Sequence, residues 1–295
     1  MMTYRIYGLN VASAFQLEAE ESPNGQPDIT IENAPVDLPE MRRSRAGTLY
    51  HVSQDTIHLH WDTVGSFCIH AGCEITAMPA PGAAEKPFLR TLSGGILAVA
   101  LYQRGCFILH ASAVVADGGA VVFAGDAGYG KSTLASRLHA CGHHLLADDI
   151  AAIQVGETTH LVYPGIQEFK LWPDSVRILG EQEEHLDRYH PNAEKRLRPV
   201  AERLQREPVP LRLVYILDFG DKEEIERLRP AQAAIELVRN NYGVTILHDL
   251  RTADLFQQVT HLAKSVPVFR LRRAKSLDDY DRFLQMVRQH LTSTL

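Results

Sequence analysis

The chain has 295 residues, 45% of them hydrophobic and 22% charged, which is the composition of an ordinary soluble globular protein. This length suffices for one large domain, or for one domain with a smaller appendage. The formal net charge of −6 gives no electrostatic reason to expect nucleic acid or an anionic membrane as a partner.

The N-terminal residues lack a basic region followed by an apolar run, so no secretory signal is visible. The longest apolar stretch is too short to span a bilayer. The four cysteines, Cys68, Cys73, Cys106 and Cys141, have neither C-x-x-C spacing nor the density of a disulfide scaffold. We therefore expect a cytoplasmic protein with reduced thiols and no membrane partner.

The N-terminal part of the chain reads as β structure. Short alternating segments over residues 4–80 are separated by Pro, Gly and Asn, which predicts an antiparallel β region. Residues 79–86 read as a connecting loop. We expect a small β-rich N-terminal region over residues 1–86, followed by an α/β (α+β) domain over residues 87–295.

The second part opens with a buried helix and a hairpin. Residues 88–104 have the apolar spacing of a largely buried helix. Residues 107–115 and 120–124 read as strands joined by the turn Asp117-Gly118-Gly119.

Later segments alternate between strand and helix patterns. Residues 144–153 and 160–163 are strand candidates, and 211–219 is a continuous apolar run typical of a buried central strand. The charged stretch 181–208 contains several prolines. Helices are predicted over 230–240, 253–264 and 277–291, with an edge strand over 267–272.

The strongest motif follows the strand at 120–124. It fits the phosphate-binding P-loop pattern G-x-x-x-x-G-K-[ST], in which glycines turn backbone N–H groups inward and a helix N-terminus faces the anion. The lysine adds a point charge, and the serine offers a hydroxyl to Mg²⁺. A fortuitous glycine-rich turn is the alternative. The candidate nucleotide-binding residues are Gly125, Asp126, Ala127, Gly128, Tyr129, Gly130, Lys131, Ser132 and Thr133.

Two further elements decide what a nucleotide site could do. Asp148 and Asp149 follow an apolar strand, and we expect this strand end next to the P-loop strand, where a metal-organising or catalytic acid belongs. A helix cap or a solvated turn is the alternative. His110 precedes Lys131 by 21 positions on a strand expected beside the P-loop strand. A lone histidine in an apolar segment is otherwise more often a core or edge residue.

The joint pattern resembles the kinase domain of HPr kinase/phosphorylase, whose P-loop fold is related to phosphoenolpyruvate carboxykinase. The matching residues are His110, the Gly-Asp-x-Gly-x-Gly-Lys-Ser run at 125–132 and the Ala147-Asp148-Asp149 strand end. Glu168 begins a partial match to the family's Glu-x-Arg-Gly signature. The likeness is closest to the HPr-kinase-like proteins of lasso-peptide biosynthesis, which share segments such as 103–114 and 163–173.

The resemblance implies a serine kinase that uses ATP and Mg²⁺ on a peptide or protein, including a lasso-peptide precursor. Lys131 would contact the phosphates, and one carboxylate of the Asp148/Asp149 pair would accept the hydroxyl proton. His110 would orient that base. The metal ligands implied are Ser132, Asp149 and Glu168.

Several alternatives stay open at this point. The same fold suits a small-molecule kinase, and a nucleotide-dependent regulatory or interaction module needs only the metal and phosphate groups. A transition-state cation could come from Lys195, Arg196 or Arg198, although a solvated charged face explains them as well. Self-association also stays open.

Overall fold

The computed structural model describes residues 1–22, 25–44, 47–190, 193–242, 252–276 and 279–295. The chain divides into two compact units, formed mainly by Met1–Ile108 and by Leu109–Tyr242 with Phe256–Leu295. This division groups residues 87–108 with the N-terminal strands, whereas the sequence predicted a boundary at residue 86. The extent of an independently folding domain stays a prediction.

The first unit is built on one sheet. Its described strands are β1 (Met2–Ile6), β2 (Leu9–Ser13), β3 (Glu20–Glu21), β4 (Ile29–Asn33), β5 (Arg42–Arg43), β6 (Leu49–Val52), β7 (Thr56–Trp61), β8 (Gly65–His70) and β9 (Glu74–Pro79). They lie in the order β3-β1-β2-β4-β9-β8-β7-β6-β5. Alternation gives the sheet one apolar face, since Ile57 and Leu59 are buried while His58 and His60 point the other way.

The prediction of an antiparallel region is wrong at one strand. β4 pairs parallel with β2 and with β9, and the other described pairs of this sheet are antiparallel. Parallel neighbours require a crossover connection rather than a tight hairpin. The alternating pattern specifies which side chains face inward but not the direction of the neighbouring strand.

The predicted buried helix is present, with an interruption. It consists of α1 (Glu85–Thr91), a π-helical turn over Leu92–Ile96 and α2 (Leu97–Gln103). Two consecutive glycines, Gly94 and Gly95, lie in that turn. The Phe88 ring of α1 stacks on Phe67 of β8 at 5.4 Å, which anchors the helix on the apolar face of the sheet.

The second unit contains a mixed sheet and a separate two-stranded sheet. The described strands of the mixed sheet are β10 (Phe107–Leu109), β11 (Ala111–Ala116), β12 (Gly119–Ala124), β13 (His144–Ala147), β14 (Ala151–Gln154), β15 (Leu161–Val162), β18 (Val209–Phe219), β19 (Glu224–Arg227) and β20 (Val268–Arg273). The two-stranded sheet consists of β16 (Glu168–Leu171) and β17 (Arg196–Pro199). The helices are α3 (Lys131–Ala140), α4 (Pro173–Ile178), α5 (Pro230–Arg239), α6 (Thr252–Ser265) and α7 (Tyr280–Thr294). A short 3₁₀ turn covers Glu183–His185.

The sheet order brings the loops of interest to one edge. β13, β11, β12, β18 and β20 are consecutive neighbours, and β12, β18 and β20 run parallel. β11 is antiparallel to both β12 and β13, so β13 has the direction of β12. The carboxyl ends of β12, β13, β18 and β20 therefore lie at the same edge, where the start of β11 also lies.

The core of this unit fixes the strand that leads into the glycine-rich loop. All six residues of β12 are buried. The Phe123 ring stacks on Tyr215 of β18 at 5.7 Å. Leu134 and Leu138 of α3 and Val287 of α7 are completely buried in the same cluster. Close packing of this kind gives the loop after β12 a rigid base.

Three strand predictions need correction. The acid-pair strand β13 is not next to the P-loop strand β12, because β11 lies between them. The single strand expected over 144–153 is two strands, β13 and β14, separated by the acid pair. β20 is not an edge strand, since β18 and β19 pair with its two sides. β19 was not predicted from the sequence, because its residues, Glu-Ile-Glu-Arg, are mostly charged.

Helices of the described chain are too short, or not apolar enough, to cross a membrane.

Candidate active site

The loop after β12 has the backbone that its glycines predict. Gly125, Gly128 and Gly130 have φ values of 143°, 86° and 95°, a region that side-chain-bearing residues rarely adopt. A Cβ atom on Gly125 would lie 2.8 Å from the carbonyl oxygen of Leu217. The chain leaves β12 tightly against β18, and α3 begins at Lys131 immediately after the loop.

The Lys131 side chain lies inside this loop. The residue is 6% exposed, and its Nζ donates to the carbonyl oxygens of Gly125 at 2.7 Å and Asp126 at 3.1 Å. Burial lowers the pKa of Lys131 to about 8, although the Asp149 carboxylate favours the charged form. An incoming anion would favour the charged form further and would exchange these carbonyls for stronger, charge-assisted partners.

Asp148 is the buried member of the acid pair. The residue is 5% exposed, and its carboxylate accepts hydrogen bonds from Ser112 Oγ at 2.5 Å and from the Lys170 amide at 2.8 Å. Burial raises the pKa of Asp148, and the hydrogen bonds from Ser112, Lys170 and the Ser132 side chain offset this only in part. The carboxylate therefore joins β11, β16 and the start of α3.

Asp149 is held differently. Its backbone has φ of 70°, and its carboxylate lies 2.8 Å from Lys170 Nζ and 3.4 Å from His110 Nδ1. His110 Nδ1 is also 3.0 Å from the Asp149 carbonyl oxygen, which can only accept, so Nδ1 carries the proton. Burial by itself would raise the pKa of Asp149, but Lys170 and His110 outweigh it and hold the pKa below the ordinary value.

The lysine partner of Asp149 was not found from the sequence. Burial disfavours the charge of Lys170, but Asp149 raises its pKa above the ordinary value. The Lys170 ammonium also lies 4.6 Å from the centre of the Tyr189 ring. One sequence signal could have marked this lysine. In the partial match to Glu-x-Arg-Gly that begins at Glu168, Lys170 occupies the position of the arginine, so a basic residue is found there in both.

A narrow cavity brings most of the sequence-predicted residues together. We call it the phosphate-side cavity; it is lined by His110, Ala127, Gly128, Gly130, Lys131, Ser132, Thr133, Asp149, Lys170, Trp172, Ser175 and Lys195. Asp148 and Glu168 are not in this lining. Tyr129 turns the other way and packs on Phe219, with ring centres 4.6 Å apart.

The three candidate transition-state cations, Lys195, Arg196 and Arg198, differ in their surroundings. Lys195 lines the phosphate-side cavity, and its Nζ lies 5.6 Å from the centre of the Trp172 ring. Arg196 and Arg198 instead pair with Glu183 at 2.9 Å and with Glu181 at 2.7 Å. Lys195 is the one of the three whose position suits contact with a ligand.

The donor set at this edge fits Mg²⁺. Magnesium prefers hard oxygen ligands and is usually held by one or two carboxylates together with phosphate oxygens and water. Ser132 and the acid pair supply such oxygens. No cluster of three or more His, Cys, Asp or Glu side chains suited to a metal occurs among the described residues.

Comparison with known proteins gives one distant structural similarity. No protein-family model and no curated protein matches the chain. Among solved structures it is similar to the Hpr(Ser) kinase/phosphatase from Coxiella burnetii, at 14% identity over 63% of this chain and 97% of that chain, with a TM-score of 0.35. A similarity with so low a TM-score identifies neither the fold nor the function of this chain.

Proposed function

We propose that this protein is an ATP- and Mg²⁺-dependent phosphotransferase that moves the γ-phosphoryl group to a serine hydroxyl of a peptide or protein. One observation carries the proposal. The glycine-rich loop with Lys131 and the carboxylate of Asp149 line the same cavity, so a phosphate donor and a proton acceptor can meet there. A lasso-peptide precursor as acceptor rests on the sequence resemblance alone.

The residues have distinct roles in this reaction. The loop amides and Lys131 bind the phosphates and stabilise the charge that develops on transfer. The acceptor oxygen attacks the γ-phosphorus, the bond to the bridging oxygen breaks and ADP leaves. Asp149 accepts the hydroxyl proton, and its carboxylate is ionised at neutral pH because its pKa lies below the ordinary value. His110 and Lys170 hold its carboxylate in place.

Mg²⁺ would be held by Ser132 together with phosphate oxygens, and when bound it would neutralise part of the phosphate charge. Asp148 serves this edge of the sheet as a buried acceptor that fixes Ser112 and β16. Its absence from the cavity lining is why we assign the proton to Asp149.

The proposal is tested by supplying γ-³²P-labelled ATP and Mg²⁺ with serine peptides, or with hydroxylated metabolites. We expect label to appear on a peptide serine and ADP release to rise when that peptide is added. Label on a metabolite alone would make the protein a small-molecule kinase. ADP release that no acceptor changes, with no labelled product, would contradict a transferase and favour a regulatory nucleotide-binding module.

Glu168→Gln tests the third implied metal ligand. If Glu168 contributes to the metal site, the variant should need a higher Mg²⁺ concentration for half-maximal transfer, while metal-free ATP binding stays unchanged. Titration of Mg²⁺ against transfer rate measures this. Glu181→Gln is a suitable control, since it removes a carboxylate that pairs with Arg198 on the neighbouring strand. Identical titrations for Glu168→Gln and the parent would remove Glu168 from the metal site.

A further inference from the structure

A second and larger cavity lies on the opposite flank of the glycine-rich loop. Its volume is about 300 Å³, and it opens among the segments that follow β18 and β20. We call it the distal cavity; Asp221, Glu223, Arg273, Asp279, Tyr280 and Arg282 are among its lining residues. In sheets with parallel strands, ligands bind outside the carboxyl ends of those strands, which is where this cavity is found.

Two buried polar side chains line the distal cavity without complete hydrogen bonding. Arg273 is 7% exposed and Tyr280 is 5% exposed. Arg273 Nη1 donates to the Ala274 carbonyl oxygen at 2.8 Å, yet Arg273 Nε and Tyr280 Oη have no partner among the described residues. Buried polar groups are nearly always paired, so unmatched donors beside a cavity point to a ligand.

Arg273 also connects the distal cavity to the glycine-rich loop. A Cβ atom on Gly130 would lie 3.2 Å from Arg273 Nη2, so the guanidinium lies against the last glycine of the loop. The same guanidinium lies 4.8 Å from the centre of the Phe219 ring, and Phe219 packs on Tyr129 of the loop. The two cavities therefore flank one loop.

The charges of the distal cavity indicate what it can hold. Its lining has three carboxylates, Asp221, Glu223 and Asp279, and three cations, Lys222, Arg273 and Arg282, which sum to zero. Arg282 and Glu223 neutralise each other at 3.2 Å. A balanced lining does not favour a polyanion, whereas it offers donors and acceptors to a neutral group rich in both.

We propose that the distal cavity is the nucleoside subsite of the nucleotide, with Arg273 and Tyr280 donating to acceptor atoms of the base and a lining carboxylate accepting from the ribose hydroxyls. The inference rests on the proposed function, since the phosphates of the same ligand would lie on the glycine-rich loop. Burial raises the pKa of Tyr280, which keeps its phenol protonated as a donor.

Calorimetric titration of the full chain with ATP and with inorganic tripolyphosphate, each with Mg²⁺, tests this assignment. The parent protein should bind ATP at least about tenfold more tightly than tripolyphosphate, because only ATP reaches the distal cavity. Tyr280→Phe keeps the ring in the core and should weaken ATP binding about three- to tenfold. Arg273→Lys should weaken ATP binding further, and Tyr280→Phe should leave the tripolyphosphate affinity unchanged.

Tyr215→Phe is the matched control, because it removes another buried phenol whose Oη lies 2.6 Å from His290 Nδ1 in the core. This variant should bind both ligands as the parent does. Equal ATP affinity for Tyr280→Phe and the parent, or a parallel loss of both ligands, would overturn the nucleoside subsite while leaving the phosphate site standing. Failure of the parent to bind either ligand would instead overturn the proposed function.

Discussion

Lys131→Ala should reduce phosphoryl transfer by at least about a hundredfold, as expected when a positioned donor to the transferring phosphate is removed. The chain should still fold. Among the described residues, the Lys131 side chain donates to two carbonyl oxygens of its own loop, and Lys131 does not belong to the hydrophobic cluster in which α3 packs. Alanine is also well suited to the first residue of α3. Single-turnover transfer and thermal unfolding, measured on the same preparation, check both statements.

Lys264→Ala is the control for the loss of a lysine, because Lys264 is exposed on α6. It should transfer phosphate at the parental rate. A folded Lys131→Ala protein that keeps full activity would contradict the assignment of the glycine-rich loop to the phosphates.

Asp149→Asn should also lower transfer by at least about a hundredfold, with only a modest change in ATP affinity, because a general base acts in the transition state rather than in binding. Asparagine is the appropriate replacement. It keeps the shape of the side chain and tolerates the φ of 70° at this position better than most residues. Transfer and ATP binding are measured separately in this variant.

Asp148→Asn separates the two members of the pair. The amide would present a donor or a weaker acceptor to Ser112 and to the Lys170 amide, at a cost of about 1–3 kcal/mol in the free energy of unfolding. Urea unfolding measures that loss, and Asp149→Asn should lose less stability than Asp148→Asn.

His110→Ala should reduce transfer less than Asp149→Asn, because it removes a group that orients the base rather than the base itself. If the Asp149→Asn variant transfers phosphate at the parental rate, Asp149 is not the base. If the variant instead loses ATP–Mg²⁺ binding, Asp149 is a metal ligand.

The sequence predicted the local context of the glycine-rich loop well. An apolar strand before residue 125 and a helix after residue 130 were both expected, and both are present as β12 and α3. These features depend on residues close together in the chain, where apolar runs, glycine and the helix N-terminus act directly on the backbone. The turn at Asp117 and Gly118 was found for the same reason.

Features that depend on residues distant in the chain were missed. Lys170 meets Asp149 only because β16 packs beside the acid pair, which no local pattern encodes. The position of β11 between β12 and β13 is likewise a property of sheet order. The sequence indicated no role for Arg273. Its burial arises from the packing of Phe219 and Tyr280 around it, and these residues are distant in the chain or lie beyond the strand.

The phosphate-side cavity has a charge opposite to that of the protein as a whole. Lys131, Lys170 and Lys195 contribute three positive charges and Asp149 one negative charge, which gives a local surplus of about two when His110 is neutral. The entire chain carries −6. At physiological salt, charges farther apart than about one Debye length, roughly 8–10 Å, are largely screened. A polyphosphate near the cavity is therefore attracted by the local positive charge, while the negative charge of the rest of the surface contributes little. Removing salt lengthens the reach of that negative charge, so low ionic strength strengthens repulsion by the distant surface as well as attraction by the cavity.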